Sequence, residues 1–219
     1  MRTKRAVALC GAFVAAMFGA SVLVGPRLPE TMVTHWNAVD QPDGAMPKFW
    51  GQFFVPLLAL GVVALVLLSP RIDPKRENIE AFRPLYNEFV VLLTAFLAGV
   101  HGVVLAVNLG YDVPISSVVF AGVGLVVFYT GRVLANAEQN WVVGIRTPWT
   151  LSDEQVWERT HDVGAALFKL SGVLAFLGAF SPRYGAALAV GPVLLSSLAL
   201  VAYSYYLYEE RDGTDGPTA

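Results

Sequence analysis

FVVLLTAFLAGVHGVVLAVNLG, residues 89–110, is a 22-residue run in which His101 is the sole ionisable side chain. A helix of about 20 such residues crosses a hydrocarbon layer about 30 Å thick. Five further runs of similar length and character flank it, at 6–25, 53–69, 115–135, 163–180 and 186–208. The composition agrees. Apolar residues make up 55% of the 219 positions and charged residues 15%, against about 25% charged in an average soluble domain. The sequence therefore predicts an all-α integral membrane protein with six transmembrane helices.

The first run follows the basic start MRTKR, but its apolar core exceeds the 7 to 15 residues of a signal peptide and no A-x-A site follows. It is expected to be a retained span. The lone Cys10 offers neither a disulfide framework nor a thiolate metal site, and no cofactor or metal is expected. A formal net charge of −2 gives no reason to expect direct binding of nucleic acid. The placement of the cations says more. Arg2, Lys4, Arg5, Arg71, Lys75, Arg76, Arg83, Arg132, Arg146, Arg159 and Arg211 fall on one side of the alternating spans, and Arg27, Lys48 and Arg183 on the other. The positive-inside rule then places both termini in the cytoplasm of a plasma-membrane, multi-pass protein. Residues 1–70 are expected to form a first helical hairpin with an outer loop, residues 71–208 a four-helix membrane domain, and residues 209–219 a disordered tail. Tyr203, Tyr205, Tyr206 and Tyr208 are expected as an interfacial belt. A Pro/Gly turn, residues 181–185, would close the last two spans as a hairpin.

The outer loop, LPETMVTHWNAVDQPDGAMPK at 28–48, is punctuated by Pro29, Pro42 and Pro47 and by the turn signal Asp43-Gly44. His35 with Asp40 and Asp43 lacks a defined metal-ligand spacing. The simpler reading has Trp36 at the membrane surface and His35, Asn37 and Asp43 bonding the loop backbone. Leu28, Pro29, His35, Trp36, Asn37, Pro42, Asp43, Gly44 and Lys48 resemble, in order, a short module of unknown function found beside membrane spans in bacterial and archaeal proteins. That resemblance implies an outward-facing recognition or structural element.

The inner loop reads NWVVGIRTPWTLSDEQVWERTHD, residues 140–162. Asn136 and Asn140 can satisfy the last carbonyls of the fourth span. Gly144 permits a sharp turn, and Pro148 pushes Thr147 toward extended geometry. Ser152 is expected as an N-cap with Gln155 three positions on. Asp153, Trp157, Thr160 and His161 then share one helical face. Trp141, Trp149 and Trp157 read most simply as interfacial anchors, and Arg146 and Arg159 as contacts to anionic headgroups. The functional alternative is a cytoplasmic docking surface of Arg146, Trp149, Trp157 and His161. The pattern N-x3-N-W-x2-GIRTPWTLS-x4-W-x2-TH, carried by Asn136, Asn140, Trp141, residues 144–152, Trp157, Thr160 and His161, is similar to the signature of the SdpI family. That resemblance implies a multi-span membrane protein that senses or resists an extracellular toxic peptide, with signalling to a cytoplasmic transcriptional repressor as a second implied role. On it, Asn136, Asn140, Arg146, Thr147, Pro148, Trp149, Trp157 and His161 are the expected partner-binding residues inside. Those outside are His35, Trp36, Asn37, Asp43 and Lys48.

Glu88, His101 and Lys169 lie at membrane depth, where ionisable groups are costly and often functional. Glu88 and Lys169 both sit toward the inner leaflet and are expected either to pair or to remain separately solvated. His101 is about 20 Å from Glu88 along the helix and cannot touch it. These three motivate the alternative of a small transporter or channel. No G-x-S-x-G elbow, H-E-x-x-H or phosphate-binding glycine loop is present, so an enzyme is not expected.

Overall fold

A computed structural model describes residues 1–37, 40–181 and 183–214. The chain runs α1 (Thr3–Val24), β1 (Thr31–Trp36), β2 (Pro42–Pro47), α2 (Lys48–Leu68), α3 (Arg76–Ala81), α4 (Arg83–Asn108), α5 (Ile115–Leu134), α6 (Pro148–Ser152), α7 (Glu154–Gly178) and α8 (Gly185–Thr214). Six of these helices are long and apolar enough to cross a membrane. The molecule is thus mostly helical, as the hydropathy requires, but the all-α expectation needs correction at the outer loop.

There β1 and β2 form an antiparallel hairpin, with Thr31 opposite Pro47 and Met32 opposite Met46, and an irregular register beyond Val33. Prolines tolerate this arrangement because Pro42 and Pro47 stand at the two ends of a strand with one neighbour, where no ladder donor is missed. Three contacts hold the hairpin on the bundle. Met32 is fully buried against Gly51 of α2. Asn108, the last residue of α4, accepts from Val33 N and donates to Val33 O, both at 2.8 Å. Asp40, in a left-handed conformation that Asp tolerates, accepts from Ser116 N at 2.8 Å and so caps the start of α5.

At the other end, the helices continue past their apolar stretches because backbone bonding does not stop at the hydrocarbon edge. α4 begins at Arg83, six residues before the apolar run, and α8 continues through Glu209 to Thr214. The segment from 209 therefore starts as helix rather than as a disordered tail. Residues 215–219 lie outside the described residues, as does Pro182 of the turn expected at 181–185.

Among the long helices, α5 and α7 approach most closely. A Cβ built on Gly124 would lie 2.6 Å from Phe176 N and 2.7 Å from Gly172 O. One on Gly172 would meet Phe128 N and Gly124 O. Without a hydrophobic force between helices in lipid, such small-residue contacts let backbones pack and gain dispersion energy. On the other side of α4, Val14, Met17 and Ala59 join α1 to α2. Cys10 lies in the central cluster with Ile79, Tyr86, Val90 and Trp157.

Candidate functional site

The inner connector from α5 to α7 is closed by side chains into a single ordered unit. At its start Asn136 Nδ2 donates to Arg132 O at 2.9 Å, satisfying a terminal carbonyl of α5 as expected. Asn140 is fully buried and uses all four of its bonding positions. Its Oδ1 accepts from Val142 N and Val143 N at 2.9 and 2.6 Å, and its Nδ2 donates to Glu138 O and Val143 O at 2.8 and 2.9 Å. The chain then turns at Gly144, where φ is +129°, a conformation L side chains rarely adopt.

The turn packs directly on α7. Ile145 N donates to His161 Nε2 at 3.0 Å, and His161 Nδ1 lies 2.8 Å from Trp157 O. Because Nε2 accepts, the proton belongs on Nδ1, which donates to the carbonyl. Trp157 Nε1 donates to Ala137 O at 2.7 Å, and its ring stacks on His161 with centroids 3.9 Å apart. Both rings are buried, with 1% and 2% of their surface exposed. They therefore cannot form a docking surface by direct contact, nor can Trp157 serve as an interfacial anchor. The i, i+4 face read from the sequence is real, and it points inward.

Thr147 and Thr150 form a reciprocal capping box at the start of α6: Thr150 N donates to Thr147 Oγ1 at 3.2 Å and Thr147 N to Thr150 Oγ1 at 3.0 Å. Pro148 follows as the first helical residue, where its missing N–H costs nothing. Thr150 Oγ1 also donates to Ile145 O, and Thr147 Oγ1 lies 3.1 Å from Ser204 Oγ of α8. Trp149 packs on Tyr205 at 5.1 Å. The cap of α7 is Asp153, which accepts from Val156 N at 2.9 Å and pairs with Arg211 at 3.1 Å. The expected cap, Ser152, instead donates to Trp149 O and closes α6.

Several partners of this loop come from the segment at 73–78, which sequence reading used only for the charges of Lys75 and Arg76. Asp73 accepts from Trp141 N at 2.8 Å. Lys75 donates to Gln139 Oε1, and Asn78 Nδ2 donates to Gln139 O at 2.7 Å. Gln139 Nε2 in turn donates to Thr150 O at 2.8 Å. No sequence signal links positions more than 60 apart. The exposed side chains of the connector include Asn136, Glu138, Arg146, Pro148, Ser152 and Trp141, the last 52% exposed. Arg146 Nη1 donates to Trp141 O, setting the two side by side.

On the hairpin side, His35 Nδ1 contacts the Asp43 carboxylate, Lys48 pairs with Glu30 at 3.2 Å, and Asn37 Oδ1 accepts from Gln41 N at 3.0 Å. His35, Trp36 and Asn37 line one wall of an apolar groove of about 320 Å³, whose other walls are Val100 and Val104 of α4 and Ile115 and Phe120 of α5. The intramembrane residues do not converge. Glu88 takes the Met1 ammonium at 3.1 Å and the Tyr129 hydroxyl, not Lys169. Lys169 runs its stem along Gly131 of α5. Buried His101 places Nε2 2.9 Å from Ser21 Oγ, whose hydroxyl is also 2.6 Å from Gln52 O. Of the two readings of Glu88 and Lys169, the structure shows them unpaired, with Glu88 engaged by Met1 and Tyr129.

Residues 136–206 match the SdpI/YfhL protein family, and residues 12–60 match a domain of unknown function (DUF1648). The chain is similar to Immunity protein SdpI of Bacillus subtilis (strain 168), with 27% identity over 202 residues that span 92% of this chain and 95% of that protein. No solved structure matches. The matched segments take in the whole inner connector from Asn136 and the whole hairpin. With six helices among the described residues long and apolar enough to cross a membrane, the chain is a multi-pass membrane protein that is similar to Immunity protein SdpI.

Proposed function

We propose that this SdpI-like protein sits in the plasma membrane with both termini in the cytoplasm and gives its host immunity to an extracellular peptide toxin. The observation that carries the reading is its similarity to Immunity protein SdpI along nearly the full length of both chains. The distribution of cations supports the orientation: eleven lie on the side of the termini and three on the hairpin side. In this reading the hairpin groove between Trp36 and Phe120 receives an apolar part of the peptide. A cytoplasmic repressor docks on the exposed face of the inner connector at Asn136 and Pro148.

Expression in a peptide-sensitive host, followed by challenge with secreted peptide toxins, tests immunity. Survival above the empty-vector control is expected, and equal killing across the panel overturns the reading. Orientation is tested separately with single cysteines at Asp43 and Glu138, since Cys10 is fully buried. An impermeant thiol reagent added to intact cells should label Asp43→Cys and spare Glu138→Cys. The reverse pattern would invert the topology.

A further inference from the structure

Beside the inner connector lies a cavity of about 560 Å³. It is bounded by Leu65 and Val66 in the last turn of α2, Phe89 in the second turn of α4, Val133 at the end of α5, Phe168 of α7, and Val143 of the connector. The walls are overwhelmingly apolar. Among the described residues the charged side chain lining it is Arg146, which is exposed and has one N–H on Trp141 O. Among the described residues no carboxylate lines it, and the nearby Glu88 is taken up by the Met1 ammonium and Tyr129. On α2, α4 and α5 the lining positions fall within about two turns of the helix ends. The depth is therefore that of the headgroup boundary rather than the bilayer centre.

A cavity of this kind suits a molecule with an apolar tail and an anionic head. We propose that it is a site for an anionic phospholipid, its acyl chain lying between α2, α4 and α5 and its phosphate meeting Arg146. Basic pockets between spans at the cytoplasmic boundary take anionic headgroups in this way, and a guanidinium can bond a phosphate through two donors. Half-exposed Trp141 sits beside Arg146 at the level where indoles favour the interface. The inference requires that the helices span a bilayer; it does not depend on immunity, and its test uses no toxin.

Native mass spectrometry of the purified full chain, supplied with phosphatidylglycerol or phosphatidylcholine at equal concentration, reads the site. Wild type should keep phosphatidylglycerol adducts at collision energies that strip phosphatidylcholine. Arg146→Gln should lower the phosphatidylglycerol adducts about fivefold, the loss expected for one cation near an anionic surface. Arg159→Gln, which removes another exposed cation, paired with Glu210 at 3.7 Å, should leave them unchanged. Val66→Trp, which fills the cavity, should abolish the preference for phosphatidylglycerol. If Val66→Trp misfolds, Arg146→Gln still decides the matter, because it alters an exposed side chain. Equal retention of the two lipids by wild type, Arg146→Gln indistinguishable from wild type, Arg159→Gln as damaging as Arg146→Gln, or a lipid-free dimer overturns the proposal.

Discussion

Replacing Gly144 with alanine tests the account of the inner connector most directly. At φ +129° an L residue is strained whatever the space around it, at a cost of about 1–3 kcal/mol. Space is also lacking. The added methyl would collide with His161 Nε2 and lie 2.7 Å from Trp157 Cη2. Neither ring can swing aside freely, since His161 is bonded to Ile145 N and Trp157 O while Trp157 is bonded to Ala137 O. Overpacking of this kind costs about 1–3 kcal/mol. A stiffer unfolded chain returns about 0.4–1 kcal/mol, leaving a net loss of about 3 kcal/mol. The measurement is equilibrium unfolding in mixed micelles, followed by tryptophan fluorescence. The double mutant separates the two causes: His161→Ala removes the collision with the imidazole and the ring on which Trp157 stacks, but not the strained φ, so the pair should couple favourably by about 1–2 kcal/mol. A Gly144→Ala protein within about 0.5 kcal/mol of wild type, or strict additivity with His161→Ala, would refute the packing described for this turn.

Other substitutions probe neighbouring contacts in the same assay. Trp157→Phe keeps most of the buried ring but leaves Ala137 O without its donor, and should cost about 1–3 kcal/mol; a neutral result would mean that the indole N–H bond is not made. Gly172→Ala places a methyl against the backbone of α5 and should destabilise by about 1–3 kcal/mol. Gly191→Ala, with nothing within 4 Å of its Cβ, should be neutral or stabilising by up to about 1 kcal/mol. Equal effects at the two positions would contradict the close α5–α7 approach. Glu88→Gln and Lys169→Met should add within about 0.5 kcal/mol, because Glu88 is engaged by Met1 and Tyr129. A larger coupling term would restore the ion pair that the structure replaces.

The spans were legible because crossing a bilayer demands long uncharged runs, and few other structures require them. Their ends were less so. Hydropathy registers the apolar part of α4 from residue 89, whereas the helix starts at Arg83. The cap of α7 was misplaced by one residue because Ser152 and Asp153 are both good caps, and only the fold shows that Ser152 is spent on Trp149 O. The hairpin escaped notice since its strands alternate weakly and end in prolines, and its docking residues Asn108 and Asp40 lie in other segments or at a turn. Within the inner connector the residue types were readable but their direction was not. In a membrane protein an aromatic at the interface and one in the core can carry the same neighbours in sequence. Trp141 and Trp157 have opposite fates because Asp73 holds the backbone of one and Ala137 the indole of the other.

The packing also constrains how the two faces could communicate. α5 is about 30 Å long, from Ile115 beside the hairpin to Leu134 at the inner connector. Its first turn is capped by Asp40, and its last leads directly into Asn136 and Asn140. It therefore joins the groove at Trp36 to the inner connector, as α4 does between Val104 and Phe89. Yet α5 cannot slide alone, because Gly124 and Gly172 bring its backbone against that of α7, whose first two turns carry Trp157 and His161 beneath Gly144. Coupling over such distances needs an element with two discrete arrangements rather than mere intermediacy. The close approach of Gly124 and Gly172 ties α5 to α7, so a displacement of either relative to α4 would have to break the hydrogen bond between Tyr129 on α5 and Glu88 on α4.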